Sequence, residues 1–418
     1  MSILVINAGS TSLKFGVFEE RLGDAVLSGS IDWPEGDREH ATLSIQTPGQ
    51  SKVQSTVSVP TGQAATACAI AAVKQDHAVT LVGHRVVHGG TQFESSRWID
   101  AEVKSAIGKL ARLAPLHNPP ALEAIQAAEI ALPGVPQAAV FDTAFFAGLP
   151  PRAYFFPLPY AWHQQWGVRR FGFHGISNSY CATRAAELLG GAPSTNPQSA
   201  DIAKVLTKPA KPTLGGMSHG LRLITCHLGG GCSATAVRDG RPVATTMGFS
   251  PLDGLMMGSR PGSIDPGLLL YLQWECGLTI EQIDHALNYE SGLAGISGLG
   301  ADLAKIELEA RHGNKRAQLA FDLFTDRVRG AIGSLAVTMG GVDALVFTDR
   351  IGENSPALRA AVCQGLECLG VQLDAEHNRQ CQPDCDLSKL ASPVRLLVIR
   401  TREEAVIARE VWRLASKR

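Results

Sequence analysis

Apolar residues alternate with polar or small residues on both sides of a short break near the start of the chain. The stretch ILVINAGSTSLKFGVFE, residues 3–19, predicts two antiparallel strands joined by a turn of small residues at positions 7–12. Lys14 follows just inside the second strand. LITCHLGGGCSATAVRDG, residues 223–240, has the same order of apolar strand, small-residue turn and second strand. Two such hairpins predict a duplicated domain.

Strands and helices alternate along most of the chain, which favours an α/β fold. Residues 105–134 predict two helices broken at a proline, the second with Asn118 as its N-cap. Residues 175–191 predict a helix capped by Ser177.

Two further segments carry a local prediction. Thr401 precedes two glutamates, which predicts a capping box at the start of the last helix. Residues 191–220 are rich in Pro, Gly, Ser and Thr, and they predict a flexible surface excursion.

Composition narrows the class of protein. The 418 residues are enough for two or three domains, and 45% of them are hydrophobic. A formal net charge of −1 and the lack of a Lys/Arg cluster argue against binding to nucleic acid or to an anionic membrane surface. No apolar run approaches the roughly 18 residues of a membrane span, and the chain enters a strand without a targeting segment. We therefore expect a cytoplasmic enzyme or binding protein.

The nine cysteines predict free thiols, because their number is odd and their spacing is not that of a zinc knuckle. No Walker loop occurs, yet turns of small residues can bind phosphate through backbone N–H groups, hydroxyls and a lysine. The two hairpin turns are therefore either two phosphate-binding turns or two ordinary tight turns.

Five other residues have a polar or charged side chain at a position where a functional role is expected. Arg85 lies within an apolar strand and so requires an anionic partner or ligand. Asp142 ends a buried strand, where a carboxylate serves a site or caps a loop. His174 and Arg260 lie in Gly-containing loops, in which a histidine is more often structural. For Glu403, the favourable position in a first helical turn is an alternative to function.

Residue spacing alone does not identify a reaction, but ten sequence motifs together resemble those of a known family. In chain order they are INAGSTSLKF, GHRVVHGG, LAPLHNP, VFDTAF, RRFGFHGIS, TCHLGGG, TTMGFSPLDGLMMGSRPGSIDPG, SGLAGISG, IGENS and TREEAVIARE. Together they resemble the acetate kinase family, over nearly the whole chain apart from residues 191–220. The resemblance implies duplicated actin-like (ribonuclease H-like) α/β domains with mixed central sheets and a nucleotide cleft between them. It implies an acyl- and metal-side domain of residues 1–145 plus 380–418, and a nucleotide-side domain of residues 146–379.

The resemblance also implies roles for individual residues. Asn7 and Glu403 would hold Mg²⁺, with Mn²⁺ as an alternative. Catalysis would fall to Asp142, His174, Arg260, Arg85 and His117, and the acid would be bound by Arg85, Val87, Leu116, Phe173 and Pro251. The nucleotide and its phosphates would be bound by Ser10, Ser12, Lys14, His227, Leu228, Gly229, Gly230, Gly231, Asp302, Leu303, Ala304, Arg350, Ile351, Gly352, Glu353 and Asn354.

The activity so implied is reversible in-line transfer of a phosphoryl group from ATP to acetate, giving acetyl phosphate and ADP, by a homodimer. Propionate or butyrate as acceptor, a different phosphoryl donor, and a non-catalytic nucleotide switch related to actin and Hsp70 remain alternatives. Phosphoryl transfer relies on positioning and cationic stabilisation, which two arginines, a histidine and a metal ion would supply.

The nucleotide end departs from the family pattern. Gly230 stands in place of an Asn, Ala304 in place of an Arg, and Asp349–Arg350 in place of Ala-Gly. These differences predict weak discrimination among nucleobases and a raised KM for ATP. The alternative is that Arg350 points to solvent or stacks on the base.

Overall fold

The structure, a computed structural model, describes residues 1–9, 11–19, 23–33, 37–190 and 220–417. Ser10 and the predicted excursion at 191–220, except Gly220, lie outside the described residues. The chain divides into two compact units. Unit 1 comprises Met1–Ala147 and Arg402–Arg418, and unit 2 comprises Gly148–Thr401.

Unit 1 contains a mixed eight-stranded sheet with the order β5-β4-β3-β2-β1-β6-β8-β7. The predicted opening hairpin is present, since β1 and β2 pair antiparallel, whereas β1–β6 and β6–β8 pair in parallel. The strands are β1 (Ile3–Ala8), β2 (Ser12–Phe18), β3 (Leu27–Asp32), β4 (Ala41–Gln46), β5 (Val53–Val57), β6 (Leu81–Val86), β7 (Arg97–Trp98) and β8 (Gln137–Phe141).

Helices cover both faces of this sheet, which explains why the four consecutive residues at positions 3–6 of β1 are all buried. The helices are α1 (Gly62–Lys74), α2 (Ala101–Lys109), α3 (Asn118–Ala131) and, from the C-terminal segment, a helix at Glu403–Ala415. Leu4 packs with residues of α1 and α3 in one core. The C-terminal helix packs so closely on β6 that a Cβ on Gly83 would lie 2.7 Å from Val411 Cγ2.

Unit 2 contains a six-stranded sheet with the order β11-β10-β9-β12-β14-β13. The predicted second hairpin is β9 with β10, which pair antiparallel, while β9–β12 and β12–β14 pair in parallel. The strands are β9 (Arg222–Leu228), β10 (Cys232–Arg238), β11 (Arg241–Thr245), β12 (Ala344–Thr348), β13 (Cys385–Asp386) and β14 (Arg395–Val398).

Eleven described helices of unit 2 precede the C-terminal helix, which is therefore α15. They are α4 (Pro151–Tyr154), α5 (Tyr160–Trp166), α6 (Gly175–Leu188), α7 (Pro266–Trp274), α8 (Ile280–Tyr289), α9 (Gly292–Ser297), α10 (Leu303–Arg311), α11 (Lys315–Met339), α12 (Asp349–Asn354), α13 (Pro356–Cys363) and α14 (Ala375–Gln380). None of the helices in the described part of the chain is long and apolar enough to cross a membrane.

Two sequence predictions are corrected here. The division of the chain falls after residues 147 and 401, rather than after 145 and 379, because β14 pairs with β12 and so places residues 380–401 in unit 2. The prediction of free thiols is wrong for one pair, since Cys381 and Cys385 form a disulfide, whereas the other seven cysteines are free.

Candidate active site

Arg85 and Asp142 form an ion pair at the ends of two neighbouring parallel strands of unit 1. Arg85 is the penultimate residue of β6, and Asp142 directly follows β8. Asp142 Oδ2 accepts hydrogen bonds from Arg85 Nε at 3.0 Å and from Nη2 at 2.7 Å. Asp142 is fully buried, so the anionic partner that the sequence predicts for Arg85 is present.

Asn7 and Glu403 extend this pair into a larger polar cluster. Asn7, near the end of β1, donates from Nδ2 to Glu403 Oε2 at 2.9 Å and to Glu404 Oε1 at 3.3 Å. Arg85 Nη1 donates to Asn7 Oδ1 at 3.2 Å and lies 3.4 Å from Glu403 Oε2. We call Asn7, Arg85, Asp142, Glu403 and Glu404 the carboxylate cluster.

The predicted capping box at the start of α15 is wrong. Arg402 is the N-cap residue and makes no side-chain cap bond, while the Glu403 side chain bonds to Asn7. Thr401, which the prediction used as the cap, instead donates from Oγ1 to Ser177 Oγ at 3.0 Å.

The carboxylate cluster has one arginine and three acidic side chains, so its electrostatics suit a cation. Burial by itself lowers the pKa of Arg85, but the charges of Asp142 and Glu403 outweigh burial and raise the pKa above its usual value. Among the described residues no three His, Cys, Asp or Glu side chains are grouped to hold a metal ion. Mg²⁺ does not require such a group, because it is commonly held by one or two carboxylates together with water and substrate phosphates. Asn7 and Glu403 therefore fit this ion.

The unit 1 residues expected to bind the acid are joined through Asn118. Its Oδ1 accepts from the backbone N–H of His88 at 3.0 Å, and its Nδ2 donates to the His88 carbonyl at 3.1 Å. These bonds tie the segment of Val87, which is buried, to that of Leu116 and His117, which are half-buried. The predicted N-cap role of Asn118 is wrong, because His117 precedes the helix and Asn118 is its first residue.

Of the opening turn, the structure describes the residues that flank Ser10. The Gly9 N–H donates to the Ser12 carbonyl at 2.8 Å, which closes the turn. Ser12 is half-buried, and the exposed Lys14 pairs with Asn7 across the two strands.

In unit 2, His174 and Arg260 both lie close to Gly231. A Cβ on Gly231 would lie 2.8 Å from Arg260 Nη2 and 3.0 Å from His174 Nε2, so a larger residue there would have to displace one of these side chains. His174 precedes α6 in the left-handed region, at φ 57°, and its Nδ1 hydrogen-bonds Ser233 Oγ at 2.9 Å. A non-glycine residue in this region is strained and is typical of functional sites.

His227 joins the same group from the end of β9. Its ring stacks on that of His174 with centroids 4.1 Å apart. Its Nδ1 hydrogen-bonds Ser177 Oγ at 2.9 Å, and its Nε2 lies 3.3 Å from Asp349 Oδ2. Ser177, which the sequence predicts as a helix cap, is instead the third residue of α6 and positions a histidine.

Arg260 is a buried cation that forms no ion pair with any described residue. Only 6% of its surface is exposed, and its Nη1 donates to the Pro251 carbonyl at 2.9 Å. Burial lowers the pKa of Arg260 to about 10, so the guanidinium is still charged at neutral pH. A buried charge is costly without an opposite charge, which indicates an anionic ligand. We call His174, His227, Gly231, Arg260 and the buried Phe173 beside them the cationic cluster.

The residues expected to bind adenosine lie in two helices. Asp302 is the N-cap of α10, where Oδ1 accepts from Ala304 N–H at 3.0 Å, and Leu303 is buried. Gly230 approaches this region, since its carbonyl accepts from Gly258 N–H at 3.2 Å and a Cβ on Gly258 would lie 3.1 Å from Ala301 Cβ.

The other segment expected to bind adenosine forms α12. Arg350 is exposed, whereas Ile351 and Gly352 are buried. Glu353 Oε1 accepts from the backbone N–H groups of Asp349 and Thr401, at 3.0 and 2.9 Å, and burial raises the pKa of Glu353. Asn354 Nδ2 donates to the Arg350 carbonyl at 2.8 Å.

Several residues that position the expected site residues could not be assigned from the sequence. Ser177 and Ser233 bond the two histidines, Asn118 links two segments of unit 1, and Glu404 adds a third carboxylate. Each partner is 30 or more residues away along the chain, so no local pattern could have indicated the pairing.

Each unit has a mixed sheet with helices around it and a hairpin closed by a turn of small residues, and each brings charged side chains together. This arrangement is that of a two-unit α/β enzyme. Residues 2–197 and 201–409 match the model of the acetokinase family. The chain therefore belongs to the acetate kinase family, whose members are phosphotransferases with a carboxyl group as acceptor. The α/β fold with mixed sheets that the resemblance implies is confirmed.

Relatives that are named acetate kinases match over the whole chain. The acetate kinase of Trichormus variabilis is 42% identical over 433 residues and covers 100% of both chains, and that of Gloeobacter violaceus is 44% identical over 430 residues and covers 99% of each. Among solved structures, Porphyromonas gingivalis acetate kinase superposes with a TM-score of 0.81 at 35% identity, covering 99% of each chain. A propionate kinase from Francisella tularensis superposes with a TM-score of 0.84 at 31% identity, covering 98% of this chain and 99% of its own.

Proposed function

We propose that this chain transfers the terminal phosphoryl group of ATP to acetate, reversibly, giving acetyl phosphate and ADP. The observation that carries the proposal is Arg260, a buried cation that lacks an ion pair among the described residues and lies beside His174. Full-length relatives named acetate kinase supply the choice of acid. We assign the reaction to the cytoplasm, because ATP is available there as a donor.

In this reaction an acetate oxygen attacks the terminal phosphorus, and the bond from phosphorus to the bridging oxygen of ADP breaks. Negative charge spreads over three equatorial oxygens during transfer, so cationic groups that are already positioned lower the barrier. Arg260 and His174 supply these groups from unit 2, and Arg85 supplies a third from unit 1. His117, beside Leu116, would assist at the acyl end.

Asp142 does not act as a general base in this proposal. The acceptor carboxylate is already ionised at neutral pH, and Asp142 Oδ2 accepts two hydrogen bonds from Arg85. Its role is to hold the guanidinium in a fixed orientation.

Mg²⁺ would be held by Asn7 and Glu403 and would neutralise charge on the phosphates of the donor. Mn²⁺ prefers the same oxygen ligands and is expected to replace it. Ser12 and Lys14, at the start of β2, would contact the same phosphates, and so would Ser10, two residues before Ser12 in the sequence.

The acyl group would be bound by Val87, Leu116, Phe173 and Pro251. We propose propionate as a second acceptor, because the chain is similar to a propionate kinase. Propionate differs from acetate by one methylene, which changes substrate discrimination by only roughly 1–3 kcal/mol. Butyrate, with one methylene more, is expected to be poorer.

The test is a hydroxylamine trap for acyl phosphate, with acetate, propionate and butyrate as acceptors. We expect wild-type activity to be highest with acetate, and Arg260→Ala or Arg85→Ala to lower kcat on the order of 10³-fold. Arg85→Ala should also raise the KM for the acid. Near-wild-type turnover in both variants would contradict the mechanism, and no acyl hydroxamate with any acid would contradict the function.

We also propose that the protein is a homodimer and that α7 contributes to the interface. This helix, PGLLLYLQW, has no buried residue although most of it is apolar, and Trp274 is 75% and Tyr271 55% exposed. Exposed apolar surface of this extent is typical of an interface, and a second copy of the chain is the partner that the proposal commits to. Trp274→Glu should yield monomers in light scattering, whereas Leu390→Glu, at another exposed leucine of unit 2, should leave the mass unchanged.

A further inference from the structure

We propose that Asp349 lowers the affinity of the site for the phosphoryl donor at the turn of residues 227–231. Its carboxylate covers one part of that turn, and the phosphates of the donor must displace it. The inference rests on the proposed function, because it concerns the donor of that reaction.

The backbone at Asp349 is held in an uncommon conformation. Its φ is +63°, and the other non-glycine residues of the described chain with positive φ are His174 and Asp239. Aspartate tolerates the left-handed region better than most side chains, but the conformation still has a cost. The Asp349 N–H donates to Glu353 Oε1, which also accepts from Thr401, so contacts from two segments hold the residue in place.

This conformation directs the Asp349 carboxylate onto Gly229. A Cβ on Gly229 would overlap with Asp349 Oδ2, so the carboxylate occupies the space that a side chain at this position would fill. A Cβ on Gly230, in contrast, would meet no atom within 4 Å. One glycine of the turn is therefore covered by a carboxylate, and the next is open.

The covered position is one that a phosphate group would use. Turns of small residues bind phosphate because the ligand can approach the backbone closely, and a carboxylate in that space excludes the ligand by both volume and charge. Arg260 lies at the same turn, since its Nη2 would be 2.8 Å from a Cβ on Gly231, so Asp349 and a cation expected to attract the donor meet neighbouring parts of one turn.

The His227 ring is the other partner of Asp349, with Nε2 3.3 Å from Oδ2. This contact raises a competing interpretation, in which Asp349 only orients His227. The two interpretations predict different kinetics. Displacement of the carboxylate by the donor affects the KM for the donor, whereas loss of a correctly oriented histidine affects kcat.

The test compares Asp349→Asn and Asp349→Gly with the wild-type protein. Both replacements tolerate a positive φ, so neither adds backbone strain. We expect each to lower the KM for ATP about tenfold, because a like charge is removed from the phosphate site, with the KM for acetate unchanged. Pyrophosphate, used as a competitive inhibitor against ATP, should also bind more tightly to both variants.

The matched control is Asp239, an aspartate of the same unit at φ 51° that the proposed site does not include. Asp239→Asn and Asp239→Gly should leave the KM for ATP unchanged. Calorimetric titration of ATP and ADP without acetate gives a second readout that does not depend on turnover. An unchanged KM and affinity in Asp349→Asn, or a lower kcat with unchanged KM, would overturn the inference. Failure of the proposed function itself would be recognised separately, by the absence of acyl phosphate from the wild-type protein.

Discussion

Arg85 and Arg260 are both shielded from water, but their surroundings are opposite in charge. Arg85, in unit 1, has Asp142 and Glu403 within ion-pair distance and Glu404 close by. Arg260, in unit 2, bonds a backbone carbonyl and forms no ion pair with a described residue. Accordingly, burial lowers the pKa of Arg260, whereas the neighbouring carboxylates raise the pKa of Arg85.

Buried arginines can therefore have two different roles in one protein, either within a group of carboxylates or as a cation that awaits an anionic ligand. The carboxylate cluster has an excess of negative charge and is suited to attract a divalent cation. The cationic cluster contains Arg260, which forms no ion pair with a described residue, and is suited to attract phosphate. A phosphoryl transfer requires both, so the contrast between the two arginines can be tested directly.

The largest expected effect is on stability. Arg85→Ala leaves Asp142 buried without its cation, which should lower the stability of unit 1 by about 3 kcal/mol, or its Tm by about 6–12 °C. Arg260→Ala removes a buried charge that forms no ion pair within the described part of the chain, so it should change stability by about 1 kcal/mol or less. Scanning calorimetry of the full chain measures both. The double variant Arg85→Met/Asp142→Leu serves as a control and should recover part of the loss. Equal losses at the two arginines would refute the contrast.

A smaller effect is expected on the metal requirement of the carboxylate cluster. Glu403→Gln keeps the side-chain shape but removes one negative charge, so the Mg²⁺ concentration for half-maximal rate should rise about tenfold. Glu404→Gln is the matched control, because its contact with Asn7 is longer at 3.3 Å and its side chain is not an expected ligand. Titration of activity with Mg²⁺ distinguishes them, and an equal response of both variants would argue against the assignment to Glu403.

Inorganic phosphate should stabilise the cationic cluster selectively. At about ten times its Kd, a ligand that binds only the folded state adds about 1.4 kcal/mol, or about 3 °C in Tm. We expect this shift in wild type and in Arg85→Ala, but not in Arg260→Ala. Differential scanning fluorimetry with chloride at equal ionic strength is the control for salt effects, and a shift that survives in Arg260→Ala would place the phosphate elsewhere.

The smallest effect is expected for Ser233, which bonds His174 Nδ1 at 2.9 Å. Ser233→Ala removes one hydrogen bond that orients the ring, so kcat should fall about fivefold, the order of one net hydrogen bond. The KM for ATP and for acetate should stay near the wild-type values, because the cations expected to bind the substrates are retained. Ser177→Ala removes the partner of His227 instead and provides the comparison. A purely structural role for Ser233 would change KM and Tm as well as kcat.

The sequence predicted those parts of the molecule that depend on local pattern or on the cost of a buried charge. Both hairpins follow from alternation, and the need of Arg85 for an anion follows from its apolar strand. The partner itself, Asp142, directly follows β8, which pairs in parallel with the strand of Arg85. The capping box predicted at Thr401 is wrong, because the glutamates at the start of α15 bond to Asn7, which lies almost 400 residues earlier in the chain. The approach of Asp349 to Gly229 depends on a backbone angle that the residue type permits but does not specify.

The C-terminal helix α15 imposes an order on the formation of the enzyme. Glu403 and the residues that pack on Gly83 are translated only after all of unit 2, residues 148–401, has been made. At about 5–20 residues per second, the strands of unit 1 wait on the order of 10 to 50 s on the ribosome before their last helix arrives. The last strand of unit 2, β14, ends at Val398, so the sheet of unit 2 is also complete only just before α15 is made. The residues of the cationic cluster are translated earlier, since the last of them, Arg260, precedes Glu403 by 143 residues.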